Sequence, residues 1–390
     1  MKKDNPIVAS SHVSENRWND ALRRADVDGT LFQSSYWAEY VRKVHGDQPI
    51  YLFSIDKKGD INGQLLAFQS WYGNFPLSNY GKYYITSLGI TKRKLYEIAF
   101  KKVFKKIFPF FYWQNGPVVV RNSLNNYPHE SDKIYCGLIG KILNISEKRG
   151  VYAIKLARPS YFMDCTKLMD FYGFKKRKMG TILVDLKPPV ELIWKSIHRN
   201  VRRNIIKIKD NIIFDEAKSL KDLQIFYNLL VQLTKRLEIE AYPFHHYKSL
   251  WNFFHPLKKI VSFIAFLKDK PIGASITLLH NNMIHVYMYA DSDFARSNKI
   301  YINDALMWHI IKWSHERGFK YLDLGGAFLY RINSGDLKAR NIYIFKSKFG
   351  KTIEFNDYWK ETDRSILHLR LKGAKMLNLF IPEGSGCFIY

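Results

Sequence analysis

The chain has 390 residues and a formal net charge of +26, from 61 Lys and Arg against 35 Asp and Glu. Hydrophobic residues make up 47% of it and aromatic residues 16%, which excludes a mainly disordered protein, because disordered chains are poor in aromatic and branched aliphatic residues. The length predicts two domains, since a single hydrophobic core stops growing at roughly 250–300 residues.

One pattern of predicted elements occurs twice. Paired apolar runs predict a β-hairpin over residues 51–68 and another over residues 262–279. Residues 146–156 (Ser-Glu-Lys-Arg-Gly-Val-Tyr-Ala-Ile-Lys-Leu) closely resemble residues 314–324 (Ser-His-Glu-Arg-Gly-Phe-Lys-Tyr-Leu-Asp-Leu). Each segment predicts a helix that ends at a left-handed glycine, followed by a buried strand. We interpret the repeated order as a duplicated α/β domain, with chance similarity as the alternative.

Between the two copies, residues 188–211 predict one long helix. Apolar residues three and four apart form one stripe along it: Trp194, Ile197, Val201, Ile205 and Ile208. Basic residues four apart occupy a different face, namely Arg199, Arg203 and Lys207, with Arg202 beside them. The helix is therefore predicted to be buried on one side and positively charged on another.

Two more helices are predicted after this one. The first covers about residues 220–237, and residues 242–247 (Tyr-Pro-Phe-His-His-Tyr) end it and begin another that runs towards Phe254. The adjacent His245 and His246 have no third ligand at metal spacing, so we expect no metal site there.

Six motifs then occur in an order that is typical of one family. They are residues 31–34 (Leu-Phe-Gln-Ser) followed by Trp37, residues 116–119 (Gly-Pro-Val-Val), the Arg-rich helix of residues 194–211, residues 234–236 (Thr-Lys-Arg) with Pro243 and Tyr247, residues 321–326 (Tyr-Leu-Asp-Leu-Gly-Gly) and residues 345–350 (Phe-Lys-Ser-Lys-Phe-Gly). This order resembles that of the FemABX aminoacyltransferases, the GNAT-superfamily branch that includes the enzymes of peptidoglycan interpeptide bridges, and of related N-acyltransferases. Each motif is weak alone, whereas six in order over most of the chain are specific.

The resemblance implies an α/β (α+β) fold of two tandem GNAT-like domains. Each would be a mixed twisted sheet flanked by helices, with a substrate channel between the domains. The first domain would cover residues 1–178, joined by the C-terminal segment 351–390, and the second would cover residues 179–350.

The resemblance also implies an activity. FemABX enzymes take an amino acid from aminoacyl-tRNA and form an amide on an amine of a peptidoglycan precursor. We therefore expect an acyltransferase with aminoacyl-tRNA as co-substrate, no bound cofactor, and a phosphorylated or lipid-linked cell-envelope precursor as acceptor. The alternative within enzymes is an N-acyltransferase that uses acyl-CoA or an acyl-carrier protein.

Attack of an amine on an ester requires deprotonation of the amine, stabilisation of the oxyanion and alignment of both substrates. It requires no Ser or Cys nucleophile, and the sequence contains no Gly-x-Ser-x-Gly, P-loop or His-Glu-x-x-His motif. The resemblance places Lys346, preceded by Phe345, where the acyl ester meets the acceptor, so that its cation offsets phosphate or oxyanion charge. The alternative is a solvated lysine at the end of a strand.

Further substrate-binding residues follow from the same resemblance. Arg199 and Arg203 would hold phosphates of the acceptor, since guanidinium matches phosphate oxygens in a bidentate manner. Lys207 would extend this contact or meet the tRNA backbone, and Arg236 matches a basic position of the family's next helix. Trp37 belongs to the family's opening motif, and we count it among the candidate substrate-binding residues. The alternative for the basic positions is the solvated face of an amphipathic helix.

Small and aromatic residues complete the candidate site. Gly325 and Gly326 follow a strand predicted to end in Asp323, and two glycines there allow the backbone to approach a ligand closely. Tyr287 and Tyr289 alternate on a predicted strand, so they are expected to share one face and line the channel. The alternative for the two glycines is a structural turn, and the alternative for the two tyrosines is packing in the core.

The sequence departs from the family pattern at two places, and each bears on a substrate that the resemblance implies. Acetyl-CoA-using GNAT domains hold the pyrophosphate on the amides of a glycine-rich loop at a helix N-terminus. Here residues 296–301 (Arg-Ser-Asn-Lys-Ile-Tyr) place Lys299 and Tyr301 where small residues belong, which disfavours acetyl-CoA. After residues 116–119 the chain continues Val-Arg-Asn, where many members carry an acidic residue, and this argues against a peptidoglycan precursor.

The net positive charge of the chain has two possible interpretations. It favours a polyanionic partner, either tRNA or a phosphorylated acceptor, or it reflects free use of Lys throughout the chain. Residues 100–113 mix lysines with aromatic residues like an interfacial helix, which predicts contact with an anionic membrane unless the segment packs in the first domain. A basic RNA- or membrane-binding protein without catalysis is thus a further alternative.

The location is predicted from what the sequence lacks. No window approaches the about 20 apolar residues of a membrane span, and residues 1–23 have no signal-peptide core. Three scattered cysteines form neither a disulfide framework nor a zinc site: Cys136, Cys165 and Cys387. We expect a cytoplasmic protein, with peripheral contact at the inner membrane face as an option. The oligomeric state is not predicted.

Overall fold

A computed structural model describes residues 6–71, 109–120, 128–158, 161 and 164–361. These residues divide into two compact units. Of the described residues, the first unit contains those within 6–28, 32–177 and 355–361, and the second contains residues 29–31 and those within 178–354.

The first unit is a mixed sheet with helices packed on it. Its strands are β1 (Ile7–Ser10), β2 (Gln48–Ile55), β3 (Ile61–Trp71), β4 (Pro109–Gln114), β5 (Val118–Val119) and β6 (Ala153–Ala157). Its helices are α1 (Glu15–Arg24), α2 (Ser35–Val44), α3 (Pro128–Lys148) and α4 (Thr166–Phe171). The strand order is β1-β2-β3-β4-β6, followed by the end of β13 (Lys351–Glu361) on the far side of β6.

Helix α3 covers this first sheet. Its buried residues recur at helical spacing and form one apolar stripe, which includes Tyr135, Leu138, Ile139 and Ile142. The stripe packs against inward-facing residues of the strands, among them Leu52, Leu65, Phe111, Trp113 and Leu156. Burial of this stripe fixes the helix on the sheet, since apolar area removed from water contributes about 25 cal/mol per Å².

The second unit repeats this construction. Its strands are β7 (Lys175–Asp185), β8 (Ile212–Glu216), β9 (Ile260–Leu267), β10 (Lys270–His280), β11 (Met283–Asp291) and β12 (Tyr321–Ala327). Its helices are α5 (Val190–Ser196), α6 (Arg199–Ile208), α7 (Leu220–Arg236), α8 (Phe244–Phe254), α9 (Asp293–Ser297), α10 (Ile302–Glu316), α11 (Leu329–Asn333) and α12 (Leu337–Lys346). The strand order is β8-β9-β10-β11-β12-β7.

The two sheets share one topology. In each, one pair of neighbouring strands among the described residues is parallel, β4 with β6 and β11 with β12. The connecting helix that leads into β6 is α3, and the one that leads into β12 is α10, which follows the short helix α9. Both connecting helices end in the same way: Gly150 has φ +58° and Gly318 has φ +75°. The next residue's amide then returns to the helix, Val151 N to Ser146 O at 2.9 Å and Phe319 N to Ser314 O at 3.1 Å. The predicted duplication of an α/β domain is therefore confirmed.

The predicted single helix over residues 188–211 is wrong. The backbone leaves the helical conformation at Ile197 (ψ 140°) and His198 (ψ 134°), so α5 ends and α6 begins. His198 Nδ1 accepts a hydrogen bond from the Asn200 amide at 3.2 Å and caps the new helix. The apolar stripe nevertheless packs as predicted, because Ile197, Val201 and Ile205 are all buried in the core of the second unit.

The interfacial helix suggested by residues 100–113 is also not observed in the part that the structure describes. Pro109–Gln114 is strand β4, and its Phe110, Phe111 and Trp113 side chains are buried. Residues 100–108 lie outside the described residues. Among the helices that the structure describes, none has the length and apolar character needed to cross a membrane.

Candidate active site

The second unit has a gap between its two parallel strands. β11 and β12 pair at Met283–Tyr321, Ile284–Leu322 and His285–Asp323, where the ladder ends. A bulge in β11 and an irregularity in β12 after Asp323 then carry the strands apart. In the first unit, by contrast, β4 and β6 stay paired over five positions, from Phe110–Ala153 to Gln114–Ala157. Because bulges often lie next to active sites, the gap between β11 and β12 is the candidate site.

Lys346 lies at this gap. It ends helix α12, only 8% of its surface is exposed, and its Nζ donates a hydrogen bond to Gly326 O at 3.2 Å. A Cβ on Gly325 would lie 3.3 Å from Lys346 Nζ and 3.5 Å from Val286 O. The ammonium therefore lies among the main chains of both strands. The alternative of a solvated lysine at a strand end is excluded.

Phe345 holds this lysine in place. Its ring centroid is 5.7 Å from that of Tyr289 and 5.5 Å from that of Phe349, a buried residue of the core. Burial raises the pKa of the Tyr289 hydroxyl well above its usual range. Both aromatic side chains thus act by packing: they anchor the end of α12 against the sheet.

Asp323 fixes the turn on the other side of the gap. Its carboxylate is fully buried and accepts hydrogen bonds from the Thr181 hydroxyl and from the Gly325 amide at 2.6 Å. His285 Nδ1 lies 3.4 Å from the same carboxylate. Strand β12 does not end at Asp323 as predicted but continues to Ala327, with Gly325 at φ +85°. Glycine adopts this left-handed conformation without steric cost, so Asp323 and Gly325 shape the backbone that carries the Gly326 carbonyl.

The structure does not bring Tyr287 and Tyr289 to one face. The register shift leaves Tyr287 as the extra residue, with Val286 opposite Thr277 and Met288 opposite Ile276. Tyr289 packs against the core beside Phe345. Tyr287 instead reaches helix α8, where its hydroxyl lies 3.0 Å from His246 Nε2. The shared face predicted from simple alternation is wrong because the bulge changes the period.

His246 is a further candidate that metal-ligand spacing in the sequence does not indicate. Its ring stacks on that of Tyr242 at 4.9 Å and meets Tyr247 edge-on at 5.1 Å. Both His246 and Tyr287 are half-buried. Nothing in the sequence connects them, since they are 41 residues apart.

The basic face of the Arg-rich helix is present. Arg199, Arg203 and Lys207 are exposed on α6, whereas Arg202 folds back and donates from Nε to Ile197 O at 3.1 Å. Asn204 on the same helix donates to the Asp304 carboxylate of α10 at 2.7 Å. The basic face thus lies on a helix that is tied to the first turn of α10.

Arg236 does not belong to this basic face. Its guanidinium forms ion pairs with Asp291, at 2.7 Å from the carboxylate, and with Asp293. It also donates to the Asp291 carbonyl at 3.1 Å. Arg236 therefore ties α7 to the end of β11, while its role in binding substrate stays a prediction.

The family's opening motif has a structural role in the first unit. The Gln33 side chain is fully buried; its Nε2 donates to Leu66 O at 3.1 Å and Gln114 O at 2.7 Å, and its Oε1 accepts from Leu66 N at 2.7 Å. A Cβ on Gly116 would lie 2.8 Å from the same amide. Trp37 packs on Phe32, with ring centroids 4.9 Å apart. The motif of residues 31–34 with Trp37 and the motif of residues 116–119 therefore contact each other, and packing within the first unit accounts for their residue types.

The resemblance aligns the start of α10 with the pyrophosphate-binding loop of acetyl-CoA-using GNAT domains. Lys299 adopts φ +53°, and the Ile302 amide already donates to Ile300 O at 2.8 Å. The Asp304 amide donates to Tyr301 O at 3.1 Å. The buried Asp304 carboxylate lies in the same first turn, and its burial raises the pKa. Two of the first-turn amides are therefore engaged within the chain, beside an acidic group.

Comparison with known proteins defines the class of this site. Residues 195–336 match the protein family described as acetyltransferase (GNAT) domain. This span contains β8 to β12 with the gap between β11 and β12, so the second unit carries a GNAT acyltransferase domain.

The whole chain has the fold of FemX. It is similar to the crystal structure of FemX with a TM-score of 0.67 and 13% identity, over 93% of this chain and 99% of that chain. It is also similar to L-PGS from Bacillus licheniformis (TM-score 0.48, 11% identity, 88% and 93% of the chains). A tandem GNAT protein from the clavulanic acid biosynthesis pathway has a TM-score of 0.47 and 6% identity over 92% and 99% of the chains. No curated protein sequence matches the chain. Residues 195–336 thus carry the GNAT acyltransferase domain, and the whole chain has the two-unit fold of FemX.

Proposed function

We propose that the protein transfers an amino acid from aminoacyl-tRNA to the amine of a phosphorylated or lipid-linked acceptor. The observation that carries this proposal is the position of Lys346, whose ammonium lies inside the gap between β11 and β12 and not in solvent. A preorganised cation is suited to an ester carbonyl, because it stabilises the negative charge that develops on the carbonyl oxygen during attack.

The reaction needs no covalent enzyme intermediate. The acceptor nitrogen attacks the ester carbonyl carbon, a C–N bond forms, and the C–O bond to the ribose of the tRNA breaks. Lys346 would stabilise the oxyanion between these two events, and the Gly326 carbonyl orients its ammonium. The gap supplies alignment, which accounts for a large share of the rate in such two-substrate reactions.

The start of α10 argues against acetyl-CoA as donor. A pyrophosphate needs several free amides at a helix N-terminus, whereas the Ile302 and Asp304 amides are hydrogen-bonded within the chain. The Asp304 carboxylate would also repel the phosphates whenever it is ionised. These residues do not fit the pyrophosphate, which supports an ester donor that is held elsewhere on the unit.

The basic face of α6 supports a phosphate-bearing substrate. Arg199, Arg203 and Lys207 are exposed on one side of the helix, and bidentate guanidinium contacts suit phosphate oxygens. We assign these residues to phosphates of the acceptor or of the tRNA backbone. A tRNA donor also places the reaction in the cytoplasm, and a lipid-linked acceptor would bring the enzyme to the inner membrane face.

A donor comparison tests the proposal. The full chain is incubated with tRNA charged with a mixture of radiolabelled amino acids, with phosphoethanolamine as a phosphorylated amine and phosphatidylethanolamine vesicles as a lipid-linked one. Labelled acetyl-CoA and acyl-carrier protein serve as parallel donors. We expect labelled amide only from aminoacyl-tRNA, and none after ribonuclease treatment. Transfer from a thioester donor alone would reject the proposed donor.

A further inference from the structure

We propose that His246 and Tyr287 form the proton-accepting pair of this acyltransfer site. The inference deepens the proposed function and rests on it in one respect, namely that an amine is acylated between β11 and β12. Its starting point is the 3.0 Å contact between His246 Nε2 and the Tyr287 hydroxyl.

The pair lies beside the gap. Tyr287 is the bulged residue of β11, directly after Val286. The Val286 carbonyl faces the position of Gly325, and Lys346 Nζ approaches the same position. Tyr287 is therefore one residue along the chain from the Val286 carbonyl that borders the gap, and its hydroxyl extends to helix α8.

Helix α8 holds the imidazole in place. The His246 amide donates to Pro243 O at 2.9 Å, and the ring lies between the phenols of Tyr242 and Tyr247. The described groups that face the imidazole include three tyrosine side chains, those of Tyr242, Tyr247 and Tyr287. Because the pair is half-buried, it is held rigidly and can still exchange protons with water.

Other histidines of the second unit are poor candidates for this role. His280 is 3% exposed, and burial lowers its pKa to about 3. Burial also lowers the pKa of His309 to about 4, and its ring stacks on Phe214 at 4.3 Å. Their lowered pKa values disfavour proton uptake near neutral pH, whereas His246 contacts the hydroxyl of the bulged residue of β11.

The proton balance requires such a group. An acceptor ammonium carries two protons that the amide product lacks. One proton goes to the ribose oxygen as the C–O bond breaks. The other moves to the Tyr287 oxygen while the Tyr287 hydroxyl proton moves to His246 Nε2, and the imidazolium then releases it to water. General-base catalysis of this kind contributes about 10²–10⁴-fold to the rate.

The test compares His246→Gln and Tyr287→Phe with the matched control His245→Gln. His245 is the exposed neighbour on the same helix and lies 3.4 Å from Ser249. Single-turnover amide formation from aminoacyl-tRNA to phosphoethanolamine is followed between pH 6 and 9. We expect about a 100-fold loss at pH 7 for each pair variant, no further loss in the double variant, and a deficit that shrinks as rising pH deprotonates the amine. The control should match the wild-type chain.

A second readout does not depend on turnover. The imidazole ¹⁵N signal of His246 should shift in Tyr287→Phe, because that variant has no hydroxyl to bond Nε2, and should stay unchanged in His245→Gln. An unshifted signal, or wild-type rates in either pair variant of an active enzyme, would overturn the inference. If the wild-type chain forms amide from no donor at all, the proposed function fails and the catalytic role of the pair fails with it.

Discussion

The ammonium of Lys346 donates a hydrogen bond to the carbonyl of Gly326, with 3.2 Å between Nζ and O. This contact joins the last residue of α12 to the strand that borders the gap, and it fixes a buried positive charge where β11 and β12 separate. The lysine ammonium carries three donors in all, and the Gly326 carbonyl fixes the direction of one of them.

Replacing Lys346 by Met should abolish most activity with little loss of stability. Methionine keeps the length and apolar packing of the side chain, so the free energy of unfolding should change by no more than about 1.5 kcal/mol. Loss of the cation should lower kcat by about 10²–10³-fold, as loss of one oxyanion-stabilising donor does. Rates of amide formation and urea unfolding measure the two effects. Lys351→Met, on an exposed residue at the start of β13, is the control; activity above half of wild type in Lys346→Met would remove the lysine from the mechanism.

Gly325→Ala should impair both stability and catalysis. Alanine at φ +85° is strained by about 1–2 kcal/mol, and its Cβ would press on Lys346 Nζ at 3.3 Å. Gly318→Ala is a matched control, because Gly318 has φ +75° and nothing lies within 4 Å of its Cβ position. We expect similar losses of unfolding free energy in both variants but a fall in kcat only in Gly325→Ala. Equal kcat values in the two variants would show that displacement of the lysine has no effect.

The sequence predicted those parts of the structure that depend on local pattern. Hairpins, the two glycine-terminated helices and the apolar stripe of α6 follow from residue spacing and turn chemistry, and they occur as expected. The break at His198 cannot be predicted from local pattern, because Ile197 and His198 also fit a helical periodicity and only the histidine cap favours the interruption. The different faces of Tyr287 and Tyr289 depend on a bulge, and a bulge is determined by pairing with the neighbouring strand and not by the sequence of one strand alone.

Site residues were harder to assign than elements. Arg236 has the residue type of a phosphate-binding group, but its partners Asp291 and Asp293 are 55 and 57 residues away, so the ion pair is visible only in the fold. The burial of Lys346 has the same origin, since Gly326 is 20 residues distant. Family motifs located the segments correctly, while the role of each side chain depended on tertiary contacts.

Gln33→Leu should destabilise the first unit. The change leaves the Leu66 amide and the carbonyls of Leu66 and Gln114 without their buried partner. Each unsatisfied buried group costs about 1–3 kcal/mol, so a total loss of at least about 3 kcal/mol is expected. Urea unfolding with near-UV circular dichroism measures it. Gln48→Leu, at an exposed position of β2, should lose less than about 0.5 kcal/mol; comparable losses in the two variants would contradict this role of Gln33.

Stability should decrease as the pH falls because of His280. Burial lowers its pKa to about 3 in the folded state, while the unfolded chain titrates near pH 6.5. Between these values the unfolded state binds the extra proton, so this histidine destabilises the fold by about 1.4 kcal/mol for each pH unit below 6.5. Between pH 6.5 and 4.5 the free energy of unfolding should therefore fall less steeply in His280→Leu than in the wild-type chain. The difference between the two slopes should be about 1.4 kcal/mol per pH unit. Identical slopes in the variant and the wild-type chain would mean that His280 is protonated in the fold.

Arg203→Ala should weaken substrate binding in a salt-dependent way. Arg203 is exposed on the basic face of α6, and each phosphate that the protein no longer neutralises should reduce the slope of log K against log salt by about 0.7–0.9. We expect KM for aminoacyl-tRNA or for a phosphorylated amine to rise at low salt, with kcat nearly unchanged, and the rise to shrink as salt increases. Whichever substrate shows the effect is the one whose phosphates bind to α6. Lys221→Ala, an exposed cation on α7, controls for net charge. An equal change in both variants would mean that the excess of positive charge acts only as a diffuse field, and that the ordered face of α6 binds no phosphate.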